Sequence, residues 1–208
     1  NLIFSQNIDF EGFMNFSYSN NSGEIHLEVN NLDKEFLYIN SLSRGIGNND
    51  LGLDRGQLGN TRIVFFTKRG NKILMVQPNT RYVSNSDNYL ENKAVEEAFA
   101  RSVLFSFEII EEKNNNYIID LTPLLMNDAH GVSQRLRFSN SGNYSLNKSM
   151  SAIELDRTKA FPKNIEFDVI LTFTGNPMGN LVRSVTPTAS NITVNQHHSF
   201  VELPDKNY

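Results

Sequence analysis

The stretch NIEFDVILTFTG, Asn164–Gly175, alternates between apolar and polar side chains. Ile165, Phe167, Val169, Leu171 and Phe173 fall on one side, and Glu166, Asp168 and Thr172 fall on the other. Successive residues of an extended chain point to opposite faces, so the pattern predicts a strand with one face on a core and one face in water. The stretch NITVNQHHSFVELPD, Asn191–Asp205, reads the same way. Ile192, Val194, Gln196, His198 and Phe200 share one face, while Thr193, Asn195, His197, Ser199 and Val201 share the other. The adjacent histidines therefore diverge. Ligands of one zinc ion must converge to about 2.0–2.1 Å from it, and neighbours on a strand do not. A β-bulge is the local device that would turn both rings to one side.

Further strands follow upstream. Phe13–Tyr18 and Glu24–Val29 flank the turn-forming SNNSG, and EFLYINSLS (35–43) follows as a third. RIVFFTKRGNKILMVQP (62–78) reads as a hairpin about Gly70. Ile63 and Phe65 lie on one face of it and Val64 and Phe66 on the other, which predicts cover on both sides. FEIIEEKNNNYIIDL (107–121) is another strand–turn–strand. The period changes in ENKAVEEAFARSVLFSF (91–107). Ala94, Val95, Ala98, Phe99 and Val103 recur at helical spacing, with Asp87 or Asn88 as the entry cap. TPLLMNDAHGVSQRLRF (122–138) reads as one short second helix with Pro123 in its first turn. The fold class expected is α+β: a largely antiparallel β-sheet or sandwich with two inserted helices.

Composition narrows the chemistry. The chain has 208 residues, 39% of them hydrophobic, and is read as one domain over 1–208. A chain this long buries roughly 70% of its unfolded surface, so it is expected to be ordered. A net charge of −4 without a basic block argues against nucleic acid as a partner. With no cysteine, disulfides, thiolate zinc sites and cysteine nucleophiles are excluded. No apolar run nears the roughly 20 residues of a membrane helix. The opening NLIFSQNIDFEGF is not a signal peptide, so the chain is expected to be cytosolic or a piece of a longer protein.

Short motifs do not identify a catalyst. There is no H-E-x-x-H and no G-x-S-x-G. The loop GIGNNDLGLDRGQLG (45–59) lacks the Gly-Lys-[Ser/Thr] end of a phosphate loop, and Asn48, Asn49, Asp50 and Asp54 miss the EF-hand spacing. His26 shares a solvated strand face with Glu24 and Glu28, and Asp128 near His130 reads equally well as orienting the ring or as local capping. Glu96–Glu97 and Glu111–Glu112 read as solvated surface, and Arg157, Lys159 and Lys163 as a turn beside Phe161-Pro162. Tyr82, Tyr89 and Tyr144 are the candidate stacking faces in a chain without tryptophan. No catalytic, cofactor-binding or metal residue is assigned.

Longer strings carry a resemblance. GIGNNDLGLDRGQLG, LMVQPNTRY, AVEEAFARSVLFSF, LLMNDAHGV, RTKAFPKNIEFDVILTFTG and LVRSVTPTASNITVNQHHSFVELPD occur in this order. From about Gly12 to Asp205 the chain resembles the domain of unknown function that precedes the catalytic domain in large bacterial, Bacteroidetes-type, zinc-dependent metalloproteases. The resemblance implies an exported parent whose zinc sits downstream in a metzincin-like H-E-x-x-H-x-x-G-x-x-H motif. None of that motif lies in these residues, so no zinc ligand and no cofactor is carried over. It implies a non-catalytic accessory domain whose partner is the downstream catalytic domain, with peptide substrate as a further partner. Polar residues in structured loops then mark the interdomain contact: Asp54 and Arg55 in the glycine-rich loop, and His197, His198 and Glu202 near the end. The alternative is a cell-surface binding module for carbohydrate or protein. A third reading makes the fragment itself a zinc-dependent hydrolase.

Overall fold

The computed structural model describes residues 7–204. The opening residues of NLIFSQNIDFEGF and Asp205 of the terminal stretch lie outside them. Its strands are β1 (Ile8–Phe10), β2 (Phe16–Tyr18), β3 (Ile25–Val29), β4 (Phe36–Arg44), β5 (Leu58–Arg69), β6 (Lys72–Gln77), β7 (Ser102–Lys113), β8 (Asn116–Asp120), β9 (Gly142–Leu146), β10 (Ala152–Ile153), β11 (Lys159–Phe161), β12 (Asn164–Pro177) and β13 (Asn191–Glu202). Three α-helices accompany them: α1 (Tyr89–Ala98), α2 (Thr122–Leu125) and α3 (Val132–Phe138).

Strand β12 is the spine. One edge pairs with β13 without a register break, from Asn164↔Val201 to Thr174↔Asn191. The other edge carries three short strands in succession: β11 against Asn164–Glu166, β10 against Val169–Ile170, and β9 against Phe173–Pro177. From β13 the antiparallel order runs back through β4, β5, β6, β7, β8 and β3 to β2 and β1. The Phe13 N–H then donates to the Phe161 carbonyl at 2.8 Å, which brings the first hairpin to β11. The sheet thus nearly closes into a barrel instead of forming two layers, and near-closure leaves little free edge.

Alternation along each strand fills the interior. Phe36, Phe66, Phe167 and Phe200 are buried, with Phe200 5.1 Å from Phe36 and 5.9 Å from Phe167 between ring centroids. Phe16 joins them, 4.8 Å from Phe167. Offset and edge contacts of this kind add about 0.5–1.5 kcal/mol per pair beyond area burial. The β5–β6 hairpin turns through Gly70 and Asn71, and Gly70 takes φ +61°. Val64, Phe65, Phe66 and Thr67 are all buried, so this part of β5 is covered on both faces as its sequence predicts.

Four expectations are corrected. The largely antiparallel sheet of an α+β chain is present as expected, but it is barrel-like where a sandwich was the alternative. The second helix is two, because Gly131 takes φ +75° and the Asp128 carboxylate accepts from the N–H groups of Val132 (2.7 Å) and Ser133 (2.9 Å), starting a new helix. The side of β12 expected in water is covered: Asp168 is 0% and Thr172 4% exposed. The cover comes from β13 and from the chain around Arg157, whose Nε lies 3.3 Å from Asp168 Oδ2. Helix α1 forms and Asn88 caps it, its side chain accepting from the Leu90 N–H at 2.9 Å. No residue of that helix is buried, however, and Val103 lies on β7, 57% exposed.

Truncation of Phe200 to alanine is expected to cost about 3–5 kcal/mol, since it opens a cavity amid four other rings. Phe138→Ala, at a side chain 71% exposed, should stay within about 0.5 kcal/mol. Urea denaturation of the two variants checks the contrast.

Candidate functional site

The β12–β13 register builds a polar ladder on the outer face of the barrel. Glu166 lies opposite Ser199, Asp168 opposite His197, and Thr172 opposite Thr193. His197 Nε2 is 2.7 Å from Glu166 Oε2, and its Nδ1 is 3.3 Å from Asp168 Oδ2. Ser199 Oγ donates to Glu166, and Asn164 Nδ2 donates to its other oxygen at 2.6 Å. Asp168 also accepts from Asn195 Nδ2 at 2.8 Å and from Arg157 Nε at 3.3 Å. The two strands thus present two carboxylates, a ring that bridges them and a nearby guanidinium.

Burial favours the neutral ring of His197, but hydrogen bonds to Asp168 and Glu166 outweigh it and raise its pKa to about 9. Burial likewise pushes the Asp168 carboxyl up, and the bonds from His197 and Asn195 with the Arg157 charge bring it down to about 2. The Glu166 carboxyl is held low by His197, Ser199 and Asn164 against the same desolvation. At neutral pH His197 is therefore an imidazolium with both N–H groups committed to carboxylates. Such a ring has no free lone pair to accept a proton or bind a metal. Ser199 donates to a carboxylate rather than to the imidazole, so the serine–base contact of an activated nucleophile is not made.

His198 points the opposite way, as the alternation predicts, and is fully buried inside the barrel. Its Nδ1 is 2.9 Å from Tyr38 Oη, and its Nε2 is 2.9 Å from Gln196 Nε2. The Gln196 amide is fixed from the other side: its Oε1 accepts from the His130 N–H, and its Nε2 donates to the Asn127 carbonyl. The second amide hydrogen of Gln196 then faces His198 Nε2. The same nitrogen lies 3.3 Å from the Leu125 carbonyl, so Tyr38, Gln196 and the α2 backbone hold the ring from three sides. Burial lowers the His198 pKa to about 4 and raises that of Tyr38. This interior network ties β13 and β4 to the α2–α3 connection. The β-bulge expected as the route to convergence lies between β13 and β4, at Asn195–Gln196, and leaves the rings on opposite faces.

The remaining candidates do not gather in one place. Asp54 and Arg55 sit in the β4–β5 loop, where the Gly56 N–H donates to the Leu42 carbonyl. Glu202 pairs with Lys34 at 3.3 Å and lies opposite Phe36, at the other end of β4. Six residues of strand separate Phe36 from Leu42, roughly 20 Å at about 3.3 Å each. His198 offers no surface. His26 lies 3.4 Å from Glu24 on its strand face. His130 is buried with neither ring nitrogen in a hydrogen bond, and burial followed by the Arg135 charge lowers its pKa. Among the described residues no group of three or more His, Asp or Glu is placed to hold a metal ion. Tyr144 is buried and donates to the Ala189 carbonyl at 2.5 Å, whereas Tyr89 is 73% exposed and Tyr82 stacks on Phe99 with centroids 4.1 Å apart. Sequence reading missed Glu166 and Asp168 as partners of His197. Their placement on one β12 face and that of His197 on one β13 face were the available signals.

Residues 56–208 match the family described as a domain of unknown function, DUF5117. No curated protein and no solved structure matches the chain.

The two histidines bend the pH profile of stability in opposite directions. His197 has its folded pKa raised to about 9, so its contribution is complete below its ordinary 6.5 and is lost as pH rises through 9. His198 has its folded pKa lowered to about 4, so stability falls as pH drops from 6.5 towards 4. Maximal stability is expected near pH 6.5. His197→Gln should flatten the alkaline limb, worth on the order of 2 kcal/mol for a partly solvated ring. Urea midpoints between pH 4 and 9.5 test it, and an unchanged alkaline limb in the variant refutes it.

Proposed function

The chain belongs to the DUF5117 family of domains of unknown function, and on that premise we propose that it is a non-catalytic accessory domain of an exported bacterial zinc-dependent metalloprotease. In this reading it packs against the peptidase domain that follows in the same polypeptide and stabilises or shapes that domain's cleft. The zinc and the hydrolytic groups belong to the neighbour. The ordered strings quoted above support the parent class.

The observation that carries the accessory role is helix α1. Leu90, Ala94 and Ala98 recur at a spacing of four and form an apolar stripe, yet all three are exposed. An isolated helix of ten residues is marginal in water, and most helical stability in proteins comes from covering an apolar face. The barrel does not supply that cover. A neighbouring domain would. The polar cluster around His197, by contrast, is closed upon itself and asks for no partner.

Calorimetry of the 208-residue chain, compared with the natural polypeptide continued through its next domain, tests the proposal. Docking should raise the melting temperature of this domain by roughly 2–4 °C for each kcal/mol of interface energy. Two independent transitions, with this domain melting where it melts alone, would reject it.

A further inference from the structure

We infer that the chain pairs with a second copy of itself along one edge of β7, strand to strand and antiparallel. The inference does not rest on the accessory reading and concerns a different surface.

The barrel is nearly closed, but a stretch of β7 has a neighbour on one side only. β6 pairs with it from Gln77↔Ser102 to Lys72↔Glu108. β8, on the other side, reaches only as far as Ile109. The register shifts there, between Ile109 and Glu111, and a bulge bends its strand and disrupts the ladder. Among the described residues no other strand takes up the free side of Ser102–Glu108. The Ile109 N–H donates to the Asn71 carbonyl at 3.1 Å, on the β6 side. Alternate residues of a strand direct their backbone groups to the same neighbour. Phe107 and Phe105 therefore serve β6, while the N–H and C=O of Ser106 and Glu108 point away from it. Ser102, Val103, Ser106 and Glu108 are exposed, Val103 by 57%. The edge is thus accessible to an incoming strand.

A row of backbone donors and acceptors defines its own ligand, which is another extended backbone. The side chains select a copy. Ser102–Phe107, SVLFSF, contains no charge and no proline, the residues that commonly guard an edge. Self-pairing over this segment sets no like charges opposite one another. Arg101 precedes it and Glu108 follows it. Antiparallel pairing brings the Arg101 end of each copy to the Glu108 end of the other, whereas parallel pairing would set like with like. Glu96 lies 3.9 Å from Arg101 and Lys72 lies 3.0 Å from Glu108, so neither end opposes approach. A two-fold axis also closes the contact: each copy covers the edge of the other, and no new edge is left. The segment falls well short of the roughly 20–30 residues a side of a stable complex, so the dimer is weak and forms at high concentration.

Sedimentation velocity of the 208-residue chain between about 1 µM and 1 mM, where weak association becomes populated, tests the inference. The mass should rise from monomer to dimer and stop there. Amide exchange at Ser106 should slow about tenfold over the same range. Ser106→Pro removes an N–H that serves no strand of its own chain, and edge positions tolerate proline. It should abolish association and leave the melting temperature unchanged. Val103→Lys, at an exposed side chain, should do the same, and it stands in if the proline variant does not fold. A chain that stays monomeric over the whole range overturns the inference. So does association that persists in either folded variant, or growth past the dimer.

Discussion

The antiparallel ladder between β12 and β13 is the constraint on which the rest depends. It runs unbroken over the full overlap of the two strands, and a strand has a side-chain period of two. Once Phe167 faces inward opposite His198, Asp168 must face outward opposite His197. A slip of β13 by one residue would bury His197 in the barrel, expose His198 and Phe200, and take the ring away from Asp168 and Glu166. The penalty for unpaired buried charge is several kcal/mol for each ion, so the register is strongly specified.

The two faces of this ladder use polar groups differently. Inside, a neutral histidine is acceptable because Tyr38, Gln196 and the Leu125 carbonyl meet both of its ring nitrogens. Outside, charge is acceptable because it is answered at short range, the covered Asp168 by His197, Asn195 and Arg157. Networks of the first kind specify one arrangement, since a half-satisfied buried group costs more than an apolar one. Gln196 shows the effect most directly. Its amide reads the backbone at Asn127 and His130, so the α2–α3 connection fits on the barrel in one orientation.

The alternation in 164–175 and 191–203 was legible from sequence, and so was the divergence of the histidines, because period two is a local property. The cover on both faces of Val64–Thr67 was legible for the same reason. The Glu166–His197–Asp168 cluster was not, because register between strands joined by a 13-residue connection leaves no local trace. Asp168 looked solvated since a carboxylate at an alternating position usually is; its burial depends on Arg157, eleven residues away, and Asn195, twenty-seven away. The helix at 89–98 was legible, but its surroundings were not. Periodicity reports that an apolar face exists without saying what covers it. Capping by Asp128 was one of two readings the sequence left open, and the cap opens a second helix where one continuous helix was expected.

The barrel of this chain extends beyond the residues that match the family. The matched residues begin at Gly56, inside the β4–β5 loop, and so omit β4. Yet β4 lies between β5 and β13, both of which are in the matched part, and it supplies Phe36 and Tyr38 to the core. Without it β5 and β13 would each present an open edge, and the hydrogen-bond partner of His198 Nδ1 would be gone. Open edges of that length invite pairing with other chains, and a buried imidazole without its partner costs about 1–3 kcal/mol. β3 extends the same argument, because its pairing with β8 carries Leu27 and Val29 into the core. The cooperative unit therefore reaches upstream of the matched segment, at least through β4, and the barrel rather than the matched stretch is the physical domain.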